Sequence, residues 1–196
     1  GKDFSIFKDI TKPFTIHAIH SHWGVNLADP KKAKINRLAV TSADKAARIV
    51  DADTIVIHPG HIENRYCSTE HSIRFLSKLD SRFIVENMPD VPGGKAHVGG
   101  SFDEMKQILD VAGKRMCLDF AHASEYAQTH DMDYLKFVRR LMLLKPKYFH
   151  VSDTRIEQGK DLHLHLGDGN LKLDAFKSLL PKRCQVVLEN SHDFHK

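Results

Sequence analysis

FIVEN at residues 83–87 and CLDFAH at residues 117–122 are the stretches on which the fold turns. Each is a run of consecutive apolar residues that ends on a carboxylate. Consecutive apolar residues, without the alternation of a half-solvated strand, describe a strand covered on both faces, as in a parallel sheet flanked by helices. The two stretches read as strands over 83–86 and 116–120, and four more runs of the same kind lie at 14–19, 54–58, 148–151 and 185–188. Amphipathic segments separate them. One runs from about 35 to 50 with Leu38, Ala39, Ala43, Ala46, Ala47 and Val50 on one side; others cover roughly 69–79, a segment opening at Ser101, 132–144 and 173–180. Ser101 and Glu104 have the spacing of a capping box ahead of Met105, Ile108 and Leu109. Pro146 and Pro181 end the last two segments.

Strand–helix alternation predicts an α/β fold with a parallel sheet. The polar residues sit where the strands end, and in a TIM-type (β/α) barrel that C-terminal rim is where chemistry is built. A full eight-fold barrel takes about 250 residues, whereas 196 residues supply about six strand–helix units. The expectation is therefore one (β/α) barrel domain over 1–196, lacking its first βα units or abbreviated, and incomplete at both ends against the eight-fold plan.

Composition narrows the function classes. Hydrophobic residues make up 41% and charged residues 28% of the chain, as in an ordinary globular domain. No apolar run reaches the eighteen or so residues of a membrane span, and no leader pattern opens the chain. Cys67, Cys117 and Cys184 are too scattered for a disulfide framework or a zinc knuckle. They suit reduced core positions in a cytoplasmic protein with no membrane partner. A net charge of +4 permits a polyanionic partner without demanding one. The unusual number is fourteen histidines.

Their positions matter more than their count. Six strand ends each carry a metal-competent side chain: His17, His58, Glu86, Asp119, His150 and Glu189. Three more, His122, Asp161 and His163, lie in the loops just behind. One such residue is ordinarily a hydrogen-bonding rim residue, but nine on one rim point to a metal site. Imidazole and carboxylate together suit zinc, manganese or iron. Asp119 and His122 can turn from a strand end toward one pocket, and Asp161 and His163 share a side if their loop is extended. Nine ligands exceed one ion's needs and suit a cluster of two or three, the usual device for phosphoester hydrolysis.

With these motifs in place, the chain resembles the endonuclease IV family of apurinic/apyrimidinic endonucleases, within the xylose isomerase-like TIM barrels. The resemblance runs from about residue 14 to 190. It is carried by TIHA at 15–18 with VNLADP at 25–30, VIHPGH at 56–61, VENMPDVPGGKAHVGGSFDEM from Val85, CLDFAHA at 117–123, HVSDT from His150, DLHLHLGDGNL from Asp161, and VVLEN ending at Asn190. It implies about three zinc ions, with manganese or iron replacing some of them. The first would lie on His17, His58 and Glu86. The second would take Glu86 as a bridge with Asp119, His150 and Glu189, and the third His122, Asp161 and His163. Asp153, His165 and Asp168 would then orient ligands or face phosphate. His20, His22 and His61 are read either as cleft-lining or as solvated loop residues.

The implied activity is metal-dependent hydrolysis of damaged double-stranded DNA 5′ to abasic sites, by a monomer, with Glu86 as the catalytic carboxylate. The loop between His17 and Asn26 is longer than the family's, and the residues that wedge into the duplex have no counterpart; His20, Ser21, His22 and Trp23 stand there instead. Trp23 is the DNA-binding candidate, filling the gap of a missing base, with a packed loop aromatic as its alternative. Lys31, Lys32, Lys34 and Arg37 read as phosphate contacts or as a solvated helix start. Two other functions stay open: a single-metal sugar isomerase or epimerase on the same barrel, which does not need the His122, Asp161 and His163 trio, and a non-catalytic metal-binding paralogue.

Overall fold

The structure, a computed structural model, describes residues 13–90 and 92–190. Six strands form one parallel sheet: β1 (Ile16–His17), β2 (Ile55–Ile57), β4 (Phe83–Glu86), β6 (Arg115–Asp119), β7 (Tyr148–Val151) and β8 (Gln185–Leu188). They pair in that order, leaving β1 and β8 at the two edges of an arc. Two short strands, β3 (His61–Ile62) and β5 (Ala96–His97), make a separate antiparallel pair that the sequence reading did not foresee.

The period of two along each strand sorts side chains onto two faces. Phe83 and Val85, Met116 and Leu118, and Phe149 face the helices and join the main core. Val56, Ile84, Cys117 and Tyr148 face the other way and form a small inner cluster. Two residues further along the same strands, His58, Glu86, Asp119 and His150 therefore project over that inner layer. The ligand candidates lie above it because the strands are in register: Glu86 pairs with Cys117 and Asp119 with His150.

The helices are α1 (Ala33–Ile49), α2 (Thr69–Leu76), α3 (Phe102–Ala112), α4 (Phe120–Thr129), α5 (Tyr134–Leu141) and α6 (Leu173–Leu179). Helix α1 buries Asn36, Ala39, Ala43, Ala46 and Ala47, so small residues let it approach the sheet closely. Leu38, expected on that face, points outward and is 61% exposed; it falls between the rows that face the core. Helix α4 is absent from the sequence expectation, which ran the preceding strand through Phe120. Instead Asp119 caps the helix, accepting the His122 amide at 2.7 Å, and α4 begins at once. Phe120 then stacks between Phe176, 4.5 Å away, and Phe149, 5.6 Å away. Truncating it to alanine is worth about 3–5 kcal/mol of stability, so the turn that aims Asp119 and His122 is anchored in the core.

The capping box at α3 is only half formed. Ser101 Oγ accepts the Glu104 amide at 3.2 Å, but the Glu104 carboxylate accepts the Gly99 amide at 2.7 Å and the Thr69 hydroxyl at 2.5 Å. It ties the loop after β5 to α2 rather than closing on its own cap. Among the described residues the three cysteines are free, and no helix is long and apolar enough to cross a membrane.

Candidate metal centre

Glu86 is fully buried at the centre of the rim. Its Oε2 lies 3.2 Å from His17 Nε2 and 3.1 Å from His58 Nε2; its Oε1 lies 2.9 Å from His150 Nδ1 and 3.5 Å from His122 Nδ1. Glu189, just beyond β8, comes within 3.1 Å of the same His150 nitrogen. On the outer side Asp161 spans two imidazoles, 3.0 Å from His163 Nε2 and 3.5 Å from His122 Nε2. The nine candidates gather at one end of the sheet, and His17, His58, His122, Asp161, His163 and Glu189 line a shared cleft. Three sets each place one ligand atom per member within 4.8 Å of the others: His17, His58 and Glu86; Glu86, Asp119, His150 and Glu189; and His122, Asp161 and His163. Two overlapping sets, His17 with His150 and Glu189, and Glu86 with Cys117 and His150, are as tight. The second is chemically poorer, because burial pushes the Cys117 thiol far up and keeps it from ionising.

Hydrogen bonds decide whether these residues suit cations. His17 Nδ1 donates to the Ala18 carbonyl at 2.9 Å, His122 Nδ1 to Asn87 at 2.9 Å and His163 Nδ1 to Glu189 at 3.0 Å. A carbonyl only accepts, so each of these Nδ1 atoms carries the proton and each neutral ring presents an Nε2 lone pair. Those lone pairs face carboxylate oxygens, which are also acceptors. Only a shared cation, proton or metal, reconciles two such groups. Imidazoles oriented by their other nitrogen are also what a metal ligand requires. Asp119 adds to the demand, since its Oδ2 is buried without a hydrogen-bond partner. The donor set fits divalent ions.

The electrostatics express the same demand with protons. Burial alone would lower His17 and His122, yet Glu86 raises the first, and Asp119 and Asp161 raise the second well above its ordinary value. Asp161 holds His163 up at about 9. Burial opposes ionisation of Glu86, but His150 and His58 keep its carboxyl well below the usual range. Asp119, desolvated beside Glu86, is pushed up to about 6.

Two local expectations need correction. His122 is not in a loop but in the first turn of α4. The segment holding Asp161 and His163 is not extended, for His163 has φ 47°. That left-handed residue folds the loop so that the two side chains meet. Asp153 explains how the loop is held. Its carboxylate accepts the amides of Thr154, Leu171, Gly167 and Gly169 at 2.9–3.1 Å, so it organises backbone rather than facing a ligand. A Cβ on Gly169 would collide with the Asp153 carboxylate and the Thr154 carbonyl, so only glycine fits there.

A cavity of about 700 Å³ opens over the cluster, lined by His20, His22 and His97 besides six of the nine ligand candidates, with Glu86, Asp119 and His150 buried beneath. His20 packs its ring 4.8 Å from His58, and desolvation lowers it to about 4. His61 is not solvated: it is buried, with Nε2 3.0 Å from Glu63. Trp23 is 67% exposed and lies outside the residues lining this cavity. Of the basic run, Lys32 pairs with Glu63 at 2.6 Å and Lys31 sits over the Tyr66 ring, while Lys34 and Arg37 are exposed.

The sequence reading missed three polar residues that brace the rim. Asn87 Nδ2 donates to the Asp119 carbonyl at 3.0 Å and its Oδ1 accepts the Asp119 amide at 2.8 Å. Asn26 Oδ1 accepts the amides of Ala28 and His61 at 3.1 and 3.0 Å. Glu125, buried on α4, accepts the Thr154 hydroxyl at 2.9 Å. An acidic residue in the alanine-rich stretch AHASEYA was the available clue to the last.

The arc of parallel strands with its ligands at one rim has a family counterpart: a profile described as "Xylose isomerase-like TIM barrel" matches residues 7–184. The chain belongs to this family. Among curated members, a "Probable endonuclease 4" of Halothermothrix orenii is 27% identical over 179 residues, covering 78% of this chain and 62% of the relative. The chain thus spans about three fifths of that protein's length. Two solved structures share the fold. Endonuclease IV from Thermus thermophilus superposes with a TM-score of 0.68 at 22% identity, covering 92% of this chain and 70% of that one. A D-tagatose 3-epimerase-like protein gives 0.70 at 19%, covering 95% and 74%.

Proposed function

We propose that the chain is a zinc-dependent phosphodiesterase of the endonuclease IV kind, hydrolysing damaged double-stranded DNA on the 5′ side of abasic sites. The observation that carries this reading is the third ligand set. His122, Asp161 and His163 converge beside the Glu86 centre, and an enediol chemistry served by one ion has no use for them. The names of the curated relatives point the same way. We read 1–196 as a single (β/α) barrel domain with β1 and β8 at the edges of its sheet, and we propose a monomer.

Zinc held on the three sets would supply Lewis acidity to the phosphoryl oxygens and a nucleophile from water near neutral pH. The protein's part is positional and electrostatic. Glu86, kept ionised by its imidazole neighbours, is the carboxylate shared between the first two sets. The carbonyls of Ala18, Asn87 and Glu189 lock three imidazoles in the tautomer that presents Nε2 to the cleft. The scissile bond would be P–O3′: water's oxygen joins phosphorus, and its proton ends on the departing O3′. Trp23, exposed on the loop between His17 and Asn26, would contact the duplex at the gap left by the missing base.

The epimerase reading retains one specific support, that Glu86, Asp119, His150 and Glu189 by themselves form a complete one-ion set. A nicking assay separates the two. A duplex with one abasic site should be cut immediately 5′ to it, with activity abolished by a strong chelator, restored by zinc and weakened by salt as phosphate contacts release counterions. A folded, metal-loaded sample, with any missing N-terminal units included, that leaves the duplex intact would pass the case to the epimerase.

A further inference from the structure

We propose a second binding site at the opposite, N-terminal rim, for a small organic anion of the nucleoside-phosphate type. The strands that carry the metal ligands at one end begin, at the other, around a cavity of about 340 Å³. That lies within the roughly 300–1,000 Å³ of small-molecule pockets. Ile84 and Tyr148 separate it from the metal centre, since both belong to the inner layer beneath the ligands.

Five cations line the cavity against one carboxylate: Lys106, Lys114, Arg115, Lys145 and Lys147 against Asp110. Asp110 is already ion-paired with Lys106. Lys114 donates to the carbonyls of Leu79 and Asp80 at 2.6 and 3.0 Å, and Arg115 to Ser81 at 2.9 Å. Carbonyl partners fix these side chains in place without neutralising their charge. Lys145 and Lys147 make no ion pair among the described residues. Four of the five cations come from the segments that lead into two neighbouring strands, GKR at 113–115, whose Arg115 opens β6, and KPK at 145–147 before β7, while Lys106 lies on α3. Lys145 also adopts φ 57°. Glycine or asparagine is the usual occupant of that conformation after a helix, and a lysine there sets a cation at the cavity wall.

The rest of the lining is of the other kind. Leu143, 70% exposed, and half-buried Leu144 present its accessible apolar surface, with Leu109, Met116 and Tyr148 buried beneath. A bare anion would leave this apolar surface unused, and a neutral apolar ligand would desolvate amines without compensation. A flat apolar body carrying phosphate charge satisfies both. Lysines on a convex helix face serve only solubility, but concavity, an apolar lining and unpaired amines together describe a site.

The test is calorimetric titration of the metal-loaded protein with ADP, adenosine and inorganic pyrophosphate. ADP should bind saturably, with adenosine and pyrophosphate each at least tenfold weaker. The Lys145→Glu/Lys147→Glu double variant should weaken ADP binding at least tenfold while keeping its metal content and melting temperature; Lys147→Glu alone serves if the double variant is unstable. Absence of saturable ADP binding overturns the proposal. So does undiminished binding to the folded variant, which would place ADP on the metal centre. Pyrophosphate binding as tightly as ADP also overturns it, leaving a simple anion patch.

Discussion

The centre around Glu86 and the outer trio present similar ligand atoms, yet different forces hold them. Glu86, Asp119 and His150 are buried strand-end residues, fixed by the hydrogen-bond register of β4, β6 and β7. His122 owes its place to a helix cap, while Asp161 and His163 sit on a loop with side chains 34% and 29% exposed. Moving Glu86 means moving the sheet. Moving His163 means only reshaping a loop that Asp153 holds through four amides. The inner set is thus part of the fold, and the outer set is attached to it.

That contrast sets the scale of what substitutions should do. Glu86→Gln keeps the shape and removes the shared charge. Turnover on an abasic duplex should fall by more than about 100-fold, beyond the 10–100-fold typical of residues that merely orient ligands. Steady-state kinetics together with circular dichroism would check this, and near-normal turnover in a folded variant would mean the centre is misassigned.

Glu125 tests the join between the two regions. Burial and nearby Asp161 push its carboxyl up to about 8, above the ordinary 4.5. A raised folded value means the native state holds the proton more tightly than the unfolded chain. The associated stability is present in full below about pH 4.5 and is lost as pH rises through about 8. Glu125→Gln, permanently neutral, should remove that slope and melt higher than the parent at pH 9. Parallel melting curves across pH for the two proteins would contradict this reading. The smallest effect belongs to Trp23→Ala. It should leave melting unchanged and weaken binding to abasic duplex a few-fold more than binding to intact duplex, as measured by fluorescence anisotropy.

What was legible in the sequence follows the same division. All six sheet strands were visible as apolar runs; β2, β4, β6 and β7 are covered on both faces as such runs require, whereas β8 at the edge is exposed along its length, and the inner ligands were visible because each ends a run. Helix α4 was not, since Asp119 serves as both strand end and cap, and Phe120, as apolar as the strand residues, follows it at once. The His163 turn was equally hidden, because its left-handed backbone lies at a histidine rather than a glycine. Leu38 misled by composition: alanines, not the leucine, face the sheet. Asp153 and Asn87 act through backbone amides and carbonyls that no residue pattern reveals.

Metal stoichiometry tests the central claim most directly. Elemental analysis of the purified, dialysed protein should find about three ions per chain, chiefly zinc. His163→Ala should lose about one of them while melting close to the parent, because the outer set can be emptied without disturbing the sheet. One ion per chain, unchanged by His163→Ala, would contradict the three-set account and leave a single-metal centre on Glu86, Asp119, His150 and Glu189.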